Sequence, residues 1–309
     1  MRFGPHPITL RQLQYIVAVA DHRNFRKAAA ACHVSQPSLS AQVAQAEDVL
    51  GVRLFERSHR GVVVTPAGTA VADQARGLCV GAESLIDAAR HFADPFAGRL
   101  RIGVIPTVAP YLLPEVAPAL RRRYPKLTLL WTEDKTEVLV QRVARAELDA
   151  AILALEADIG ELETKVLGQD PFVFAAPAGH PLAASHKPIR AEDLEGESVL
   201  LLDDGHCFRK QVLSFCSRAG ADEAGYRATS LATLVQMTAG GVGVTLLPSL
   251  ALPVENRHKV LHVRGFVPKV PSRTLALCWR RGSALTATLG SVGETMHKVY
   301  EAMVRRAGV

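Results

Sequence analysis

The chain has 309 residues, long enough for two or three domains that each bury a core of their own. Its 36 Lys and Arg against 30 Asp and Glu leave a formal charge of +6, which suits a polyanionic partner such as nucleic acid. Five unevenly spaced cysteines exclude a disulfide framework, and no apolar run is long enough to span a bilayer. Nor does the start read as an export signal, because its first apolar stretch breaks at Asp21 and His22. A cytoplasmic protein with no membrane partner is expected.

Thr9 with Gln12 three residues on marks a helix start, and Leu10, Leu13, Val17 and Ala20 follow at helical spacing. Asn24 can cap a second helix over residues 25–31, Cys32, His33 and Val34 make a tight turn, and Ser35 can cap a third. Pro37 is tolerated in that helix's first turn, where its missing N–H has no partner to lose. Leu39, Val43, Ala46, Val49 and Leu50 form the third helix's apolar stripe. Two short helices with polar Gln36, Ser38, Ser40 and Gln42 at the outer end of the second suit a major groove, although a plain three-helix bundle has the same pattern. Gln can pair with adenine edges, and Ser reaches bases or phosphates. Residues 54–66 then read as strand, basic turn and strand, a wing whose Arg57 and Arg60 would meet phosphates or a narrow minor groove. The expected contacts with double-stranded promoter DNA are therefore Ser35, Gln36, Pro37, Ser38, Ser40, Gln42, Arg57 and Arg60.

From Pro66 to Phe92, Val71, Ala75, Leu78, Ala82, Leu85, Ala89 and Phe92 alternate spacings of four and three, which argues for pairing with the same helix of a second chain. Asp94, Pro95, Ala97 and Gly98 end the helix. The expected domains are 1–65 for the winged helix-turn-helix, 66–96 for the linker helix and 97–309 for a regulatory domain. In that last part strand and helix signals alternate: strands at 100–105, 127–132 and 150–155 with helices between predict a right-handed parallel βαβαβ unit. Strands at 172–176, 198–202, 244–247 and 273–279 and a long helix to Arg306 predict a second lobe, giving a two-lobed α/β domain with a cleft. Thr107 and Thr136 sit where strands hand over to helices, the usual ligand position in open α/β sheets, though Thr also caps helices.

The segment from Asp203 to Cys216 carries the most chemistry. Cys207 follows a strand and a glycine, so it should lie at a helix N-terminus with His206, Arg209 and Lys210 beside it in sequence. Positive potential of that kind raises a thiol's thiolate fraction. A thiolate attacks peroxide, passes to sulfenic acid and can condense with a second thiol, for which Cys216 is the obvious candidate. If the segment is helical, nine steps put the two Cα atoms roughly 13 Å apart, whereas a disulfide needs them within about 7 Å. Bond formation then requires rearrangement. Cys32, Cys79 and Cys278 read as inert, no cofactor is expected, and the spacing of His206, Cys207 and Cys216 fits no common zinc pattern. A small metabolite in the cleft, or thiol peroxidase activity, would use the same residues differently.

Ala28-Ala29, the run Val34-Ser35-Gln36-Pro37-Ser38-Leu39-Ser40, Leu50 to Arg57 and Thr65-Pro66-Ala67-Gly68 together resemble the DNA-binding domain of LysR-type regulators. Ala41, Ala44 and Gln45 depart from the basic residues many relatives carry on this helix. Gly205-His206-Cys207 with Cys216, residues 105–114, residues 227–231 and residues 245–248 are similar to the peroxide-sensing members of that family. The resemblance implies a dimeric or tetrameric regulator with a periplasmic-binding-protein-like domain, hydrogen peroxide as effector and RNA polymerase as a further partner. It also implies that Cys207 is the reactive thiol, that Cys216 resolves it, and that Thr107, Thr136, His206 and Arg273 bind peroxide. Lys210 stands where an acidic residue is expected.

Overall fold

The computed structural model describes residues 6–58, 61–185 and 187–307, which fall into two compact units divided between Ala89 and Arg90. The first unit holds α1 (Leu10–His22), α2 (Phe25–Ala31), α3 (Gln36–Leu50), the hairpin β1 (Phe55–Ser58) and β2 (Gly61–Val64), and the start of α4 (Pro66–Ala93). All three expected caps form. Thr9 and Gln12 make a reciprocal capping box, Asn24 Oδ1 accepts from the Lys27 N–H at 3.0 Å, and Ser35 Oγ accepts from the Ser38 N–H at 3.4 Å.

The buried face of α1 is Gln12, Tyr15, Ile16 and Val19, while Leu10 is 43 % exposed. Helix α1 has two apolar stripes at helical spacing, and the one containing polar Gln12 turns inward because its amide donates to Gln45 Oε1 at 3.2 Å. Val49 of α3 likewise lies outside the core, whereas Leu39, Val43 and Ala46 are buried in it. The wing is anchored by buried Glu47, whose carboxylate accepts from the N–H groups of Leu54 and Phe55 at 2.7 and 3.1 Å and from Arg53 Nη1 at 3.0 Å. Gly68 is needed where α4 begins, since a Cβ there would stand 2.1 Å from the Leu54 carbonyl oxygen.

The second unit runs β3 (Gly98–Val104), α5 (Ala109–Arg123), β4 (Leu127–Glu133), α6 (Thr136–Ala144), β5 (Ala150–Ala154) and β6 (Leu162–Pro177). It continues through β7 (Ser198–Leu202), α7 (Cys207–Arg218), β8 (Asp222–Ala228), α8 (Leu231–Ala239) and β9 (Thr245–Pro248). Helix α9 (Leu252–Glu255), β10 (Leu261–Arg264), β11 (Ser272–Arg280) and α10 (Thr286–Ala307) complete it. Strand β3 pairs parallel with β4 and β5 as its crossovers require, but β11 pairs antiparallel with both β5 and β6. The expected parallel sheet is therefore mixed, in the order β10-β6-β11-β5-β3-β4 with β9 also on β6, beside a separate parallel pair β7-β8. Strand β6 has 16 residues, far beyond the expected 172–176. Its first part pairs with β11 and its last part with β9 and β10, so one continuous strand belongs to two hydrophobic cores.

Candidate functional site

Cys207 is the first residue of α7 and only 9 % exposed. Gly205 before it has φ +89, and a Cβ there would meet Lys135 Cδ at 2.7 Å. The bare backbone lets Lys135 lie across the turn and donate its ammonium to the Asp204 carbonyl at 2.6 Å. His206 is buried, and burial together with the Lys135 charge holds its imidazole below the usual pKa, against a smaller opposing pull from Asp203. The neutral ring precedes Cys207 in the chain, and it is not among the side chains that line the cavity Cys207 borders.

Cys216 closes the other end of the same helix. Nine residues are two and a half turns, so the two cysteines lie on opposite faces of α7, roughly 13 Å apart along its axis. Cys207 packs in the core built on β3, β4 and β5, and Cys216 in the core built on β7, β8 and α8. Burial pushes the Cys216 thiol up to about 12. Cys278, also buried, is pushed up to about 12 as well, and Cys32 and Cys79 are half-buried.

The structure corrects the expected cationic setting of Cys207. Arg209 does not turn towards the thiol: it is buried, with Nε on Asp204 Oδ1 at 3.0 Å, Nη1 on the Leu202 carbonyl at 3.2 Å and Nη2 on the Glu223 carboxylate at 3.0 Å. Two residues along a helix is about 200° of rotation, so sequence neighbours there face apart. Lys210, one step further, is 80 % exposed and stands 3.9 Å from Glu137 at the rim of a cavity that Cys207 also lines.

That cavity, of about 820 Å³, is lined by Thr136, Cys207, Lys210, Gln211 and Phe172, and on its far side by Val267 to Ser272. Thr136 is buried at the start of α6, and its hydroxyl has no hydrogen-bond partner among the described residues. Both polar atoms of the Gln211 amide are in the same condition, a role that sequence reading missed.

Arg273 and Thr107 come together one layer deeper. Arg273 is fully buried, donating from Nη1 to Thr107 Oγ1 at 2.7 Å, from Nη2 to the Thr107 carbonyl at 3.0 Å and from Nε to Asp170 Oδ2 at 2.9 Å. Its guanidinium also stands 5.5 Å from the ring centroid of Phe208, the residue next to Cys207. Burial pushes the Asp170 carboxyl up, and Arg273 and the Leu250 N–H pull it back towards the ionised form. Asp170 was not legible in the sequence, because nothing near it points to a partner 103 residues away.

In the first unit Ser35, Gln36, Pro37 and Ser38 are exposed at the start of α3, with Ser40 and Gln42 partly exposed. Arg60 and the side chain of Arg57 lie outside the described residues. The α4 stripe divides: Ala75 is buried, whereas Leu78 and Leu85 are 61 % and 74 % exposed. Leu10, Leu13, Leu50, Val71 and Leu78 line an apolar groove beside it. The Phe92 side chain lies outside the described residues. Among the described residues no helix is long and apolar enough to cross a membrane, and no His, Cys, Asp and Glu group could hold a metal ion.

Residues 10–69 match the model for bacterial regulatory helix-turn-helix proteins of the lysR family, and residues 93–300 match the LysR substrate binding domain. The chain belongs to the LysR family of bacterial regulators. It is 42 % identical over 293 residues to a hydrogen peroxide-inducible genes activator of Dickeya chrysanthemi, covering 94 % of this chain and 95 % of that one. Among solved structures it is similar to a full-length OxyR variant from Pseudomonas aeruginosa, with TM-score 0.71, 37 % identity and coverage of 94 % and 95 %. A peroxide-bound OxyR variant from Corynebacterium glutamicum gives TM-score 0.68 and 31 % identity, covering 99 % of this chain and 96 % of that one.

Proposed function

We propose that the chain is a DNA-binding transcription regulator that senses hydrogen peroxide through Cys207 and signals by joining it to Cys216. The observation that carries this reading is the placement of the two thiols at opposite ends and on opposite faces of α7. Cys207 lines a cavity with Thr136 and follows neutral His206 in the chain, while Cys216 is buried in a separate apolar core. In the first step the Cys207 thiolate attacks one peroxide oxygen, the O–O bond breaks, and the leaving hydroxide takes a proton to become water. Cys207 is then a sulfenic acid. In the second, Cys216 sulfur attacks the Cys207 sulfur, releasing a second water and forming the disulfide. Two thiols are oxidised and one peroxide is reduced to two waters.

Thr136 and His206 are suited to hold peroxide oxygens. Thr107 and Arg273 act one layer behind, fixing the Phe208 end of α7 through the Arg273–Phe208 contact. The second step cannot occur with α7 intact, so oxidation reshapes the segment, and that reshaping alters how paired copies of the reader meet DNA. Chain pairing through the exposed side of α4 gives dimers and, with further contacts, tetramers on promoter DNA in the cytoplasm, where RNA polymerase is a further partner. The similarity to regulators, and the absence of a Cys-x-x-Cys recycling motif from the sequence, favour a regulator over a peroxidase.

Footprinting the full chain on DNA with and without micromolar peroxide tests the reading. A protected region that changes with peroxide in wild type and stays fixed in Cys207→Ser supports it; an unchanged footprint in both contradicts it. The cavity, at about 820 Å³ much larger than peroxide, favours one competing reading, a metabolite effector. Such an effector would raise the melting temperature of a Cys207→Ser/Cys216→Ser chain and still alter DNA binding.

A further inference from the structure

We propose that the sensing unit has its own polyanion-binding surface, an arginine-lined end of its first lobe that takes the phosphate backbone of duplex DNA. The proposal rests on the DNA-binding reading above and adds a contact outside the helix-turn-helix.

Strands β3, β4 and β5 are parallel, with Gly98 opposite Leu127 and Ile102 opposite Ala150, so their N-terminal ends share one edge of the lobe. Helix α5 ends at Arg123 just before β4, and α6 ends at Ala144 just before β5. The same edge therefore receives Arg99 from β3, Arg121, Arg122 and Arg123 from the last turn of α5, and Arg145 from the end of α6. All five are exposed, and among the described residues none of them is seen in an ion pair or a side-chain hydrogen bond. The carboxylates of this edge are already engaged: Asp94 with Lys126 at 2.8 Å, Asp149 with Arg101 at 3.9 Å and Glu147 with Arg142 at 3.5 Å. At its margin β11 ends in Arg280 opposite Leu162, with Glu161 and Glu163 alongside, so the uncompensated charge is concentrated on the β3–β4–β5 side.

One basic residue at a helix C-terminus is ordinary complement to the macrodipole. Three in succession fan out by about 100° each and cannot all sit over the last carbonyls. Because β5 and β4 flank β3 on opposite sides, right-handed crossovers place α5 and α6 on opposite faces of the sheet, so the arginines wrap the lobe's end rather than one helix. The five unpaired cations are all arginine, whose planar fork suits phosphate oxygens. Duplex DNA supplies such oxygens in a regular row.

The test is a titration of the full-length chain on random-sequence duplex of about 60 base pairs, across roughly 50 to 200 mM salt. The variant Arg121→Gln/Arg122→Gln/Arg123→Gln is expected to weaken binding about tenfold or more and to lower the log–log salt slope by about 2 to 3, with its melting temperature and Cys207 oxidation unchanged. A charge-matched variant on the other lobe, Lys187→Gln/Arg257→Gln/Lys259→Gln, should keep the wild-type slope. Equal slopes for wild type and the arginine variant would overturn the proposal, as would an equal fall in the charge-matched control. The first result would reassign the surface to an acidic protein, and the second would reduce the effect to net charge. Wild type with no affinity for any duplex would overturn the regulator reading itself, and this surface with it.

Discussion

The two ends of α7 are built for different work. At its start, Cys207 borders a cavity containing the unpaired Thr136 hydroxyl and follows a turn that only Gly205 allows. At its end, Cys216 is buried in an apolar core and its thiol is pushed up to about 12, leaving almost no thiolate near neutral pH. Chemistry can begin at the first without disturbing the fold, but it cannot finish at the second without doing so. Two thiols already within disulfide reach would join with little change in shape and would carry little signal.

The contrast can be broken most completely at its reactive end. Cys207→Ser should abolish sulfenic acid and disulfide formation at micromolar peroxide, whereas Cys216→Ser should still form the sulfenic acid at close to the wild-type rate and then stop. Dimedone labelling followed by peptide mass spectrometry distinguishes the two. If Cys216→Ser lost the first step too, the division of labour along α7 would be wrong.

Next in size is the buried pair behind the helix start. Arg273→Ala leaves the Asp170 carboxylate buried without its cation, and removing one partner of such a pair costs about 3–5 kcal/mol. A melting temperature lower by several degrees in reduced protein is the expected readout, and Arg273→Ala/Asp170→Asn should recover part of it.

Arg209 offers a smaller and more selective perturbation. Its bonds to Asp204, Leu202 and Glu223 tie the first turn of α7 to β7 and β8. Because any joining of Cys207 and Cys216 must move the residues between them, Arg209→Ala should speed the second step a few-fold while costing the reduced fold about 1–3 kcal/mol. Stopped-flow measurement of sulfenic acid decay checks the rate.

The smallest effect concerns pH. Cys216 has a raised pKa in the fold, so the folded chain keeps its proton where the unfolded chain loses it. Its contribution to stability is complete below about pH 9 and declines as pH rises towards about 12. Reduced wild type should lose melting temperature across that window more steeply than Cys216→Ala, with Cys278 contributing a similar decline to both.

What could be read in advance follows the range of the interactions. The caps at Thr9, Asn24 and Ser35 are local, and each depends on residues three positions apart, so they were legible. The position of Cys207 at a helix start was legible for the same reason. The direction of Arg209 was not, because adjacency along a helix does not give a shared face. Neither was the inward stripe of α1, where the Gln12 amide is satisfied by donating to Gln45 and accepting from Thr9. The first part of β6 and the whole of β8 carry alternating polar residues that look like loop, and Asp170 becomes meaningful only when β11 places Arg273 opposite it.

The most direct measurement is peptide mass spectrometry of the reduced full-length chain after one equivalent of hydrogen peroxide, with free thiols alkylated under denaturing conditions. A disulfide joining the Cys207 and Cys216 peptides is expected, with Cys32, Cys79 and Cys278 alkylated as in untreated protein. An oxidised Cys207 alongside a fully alkylated Cys216 would contradict it.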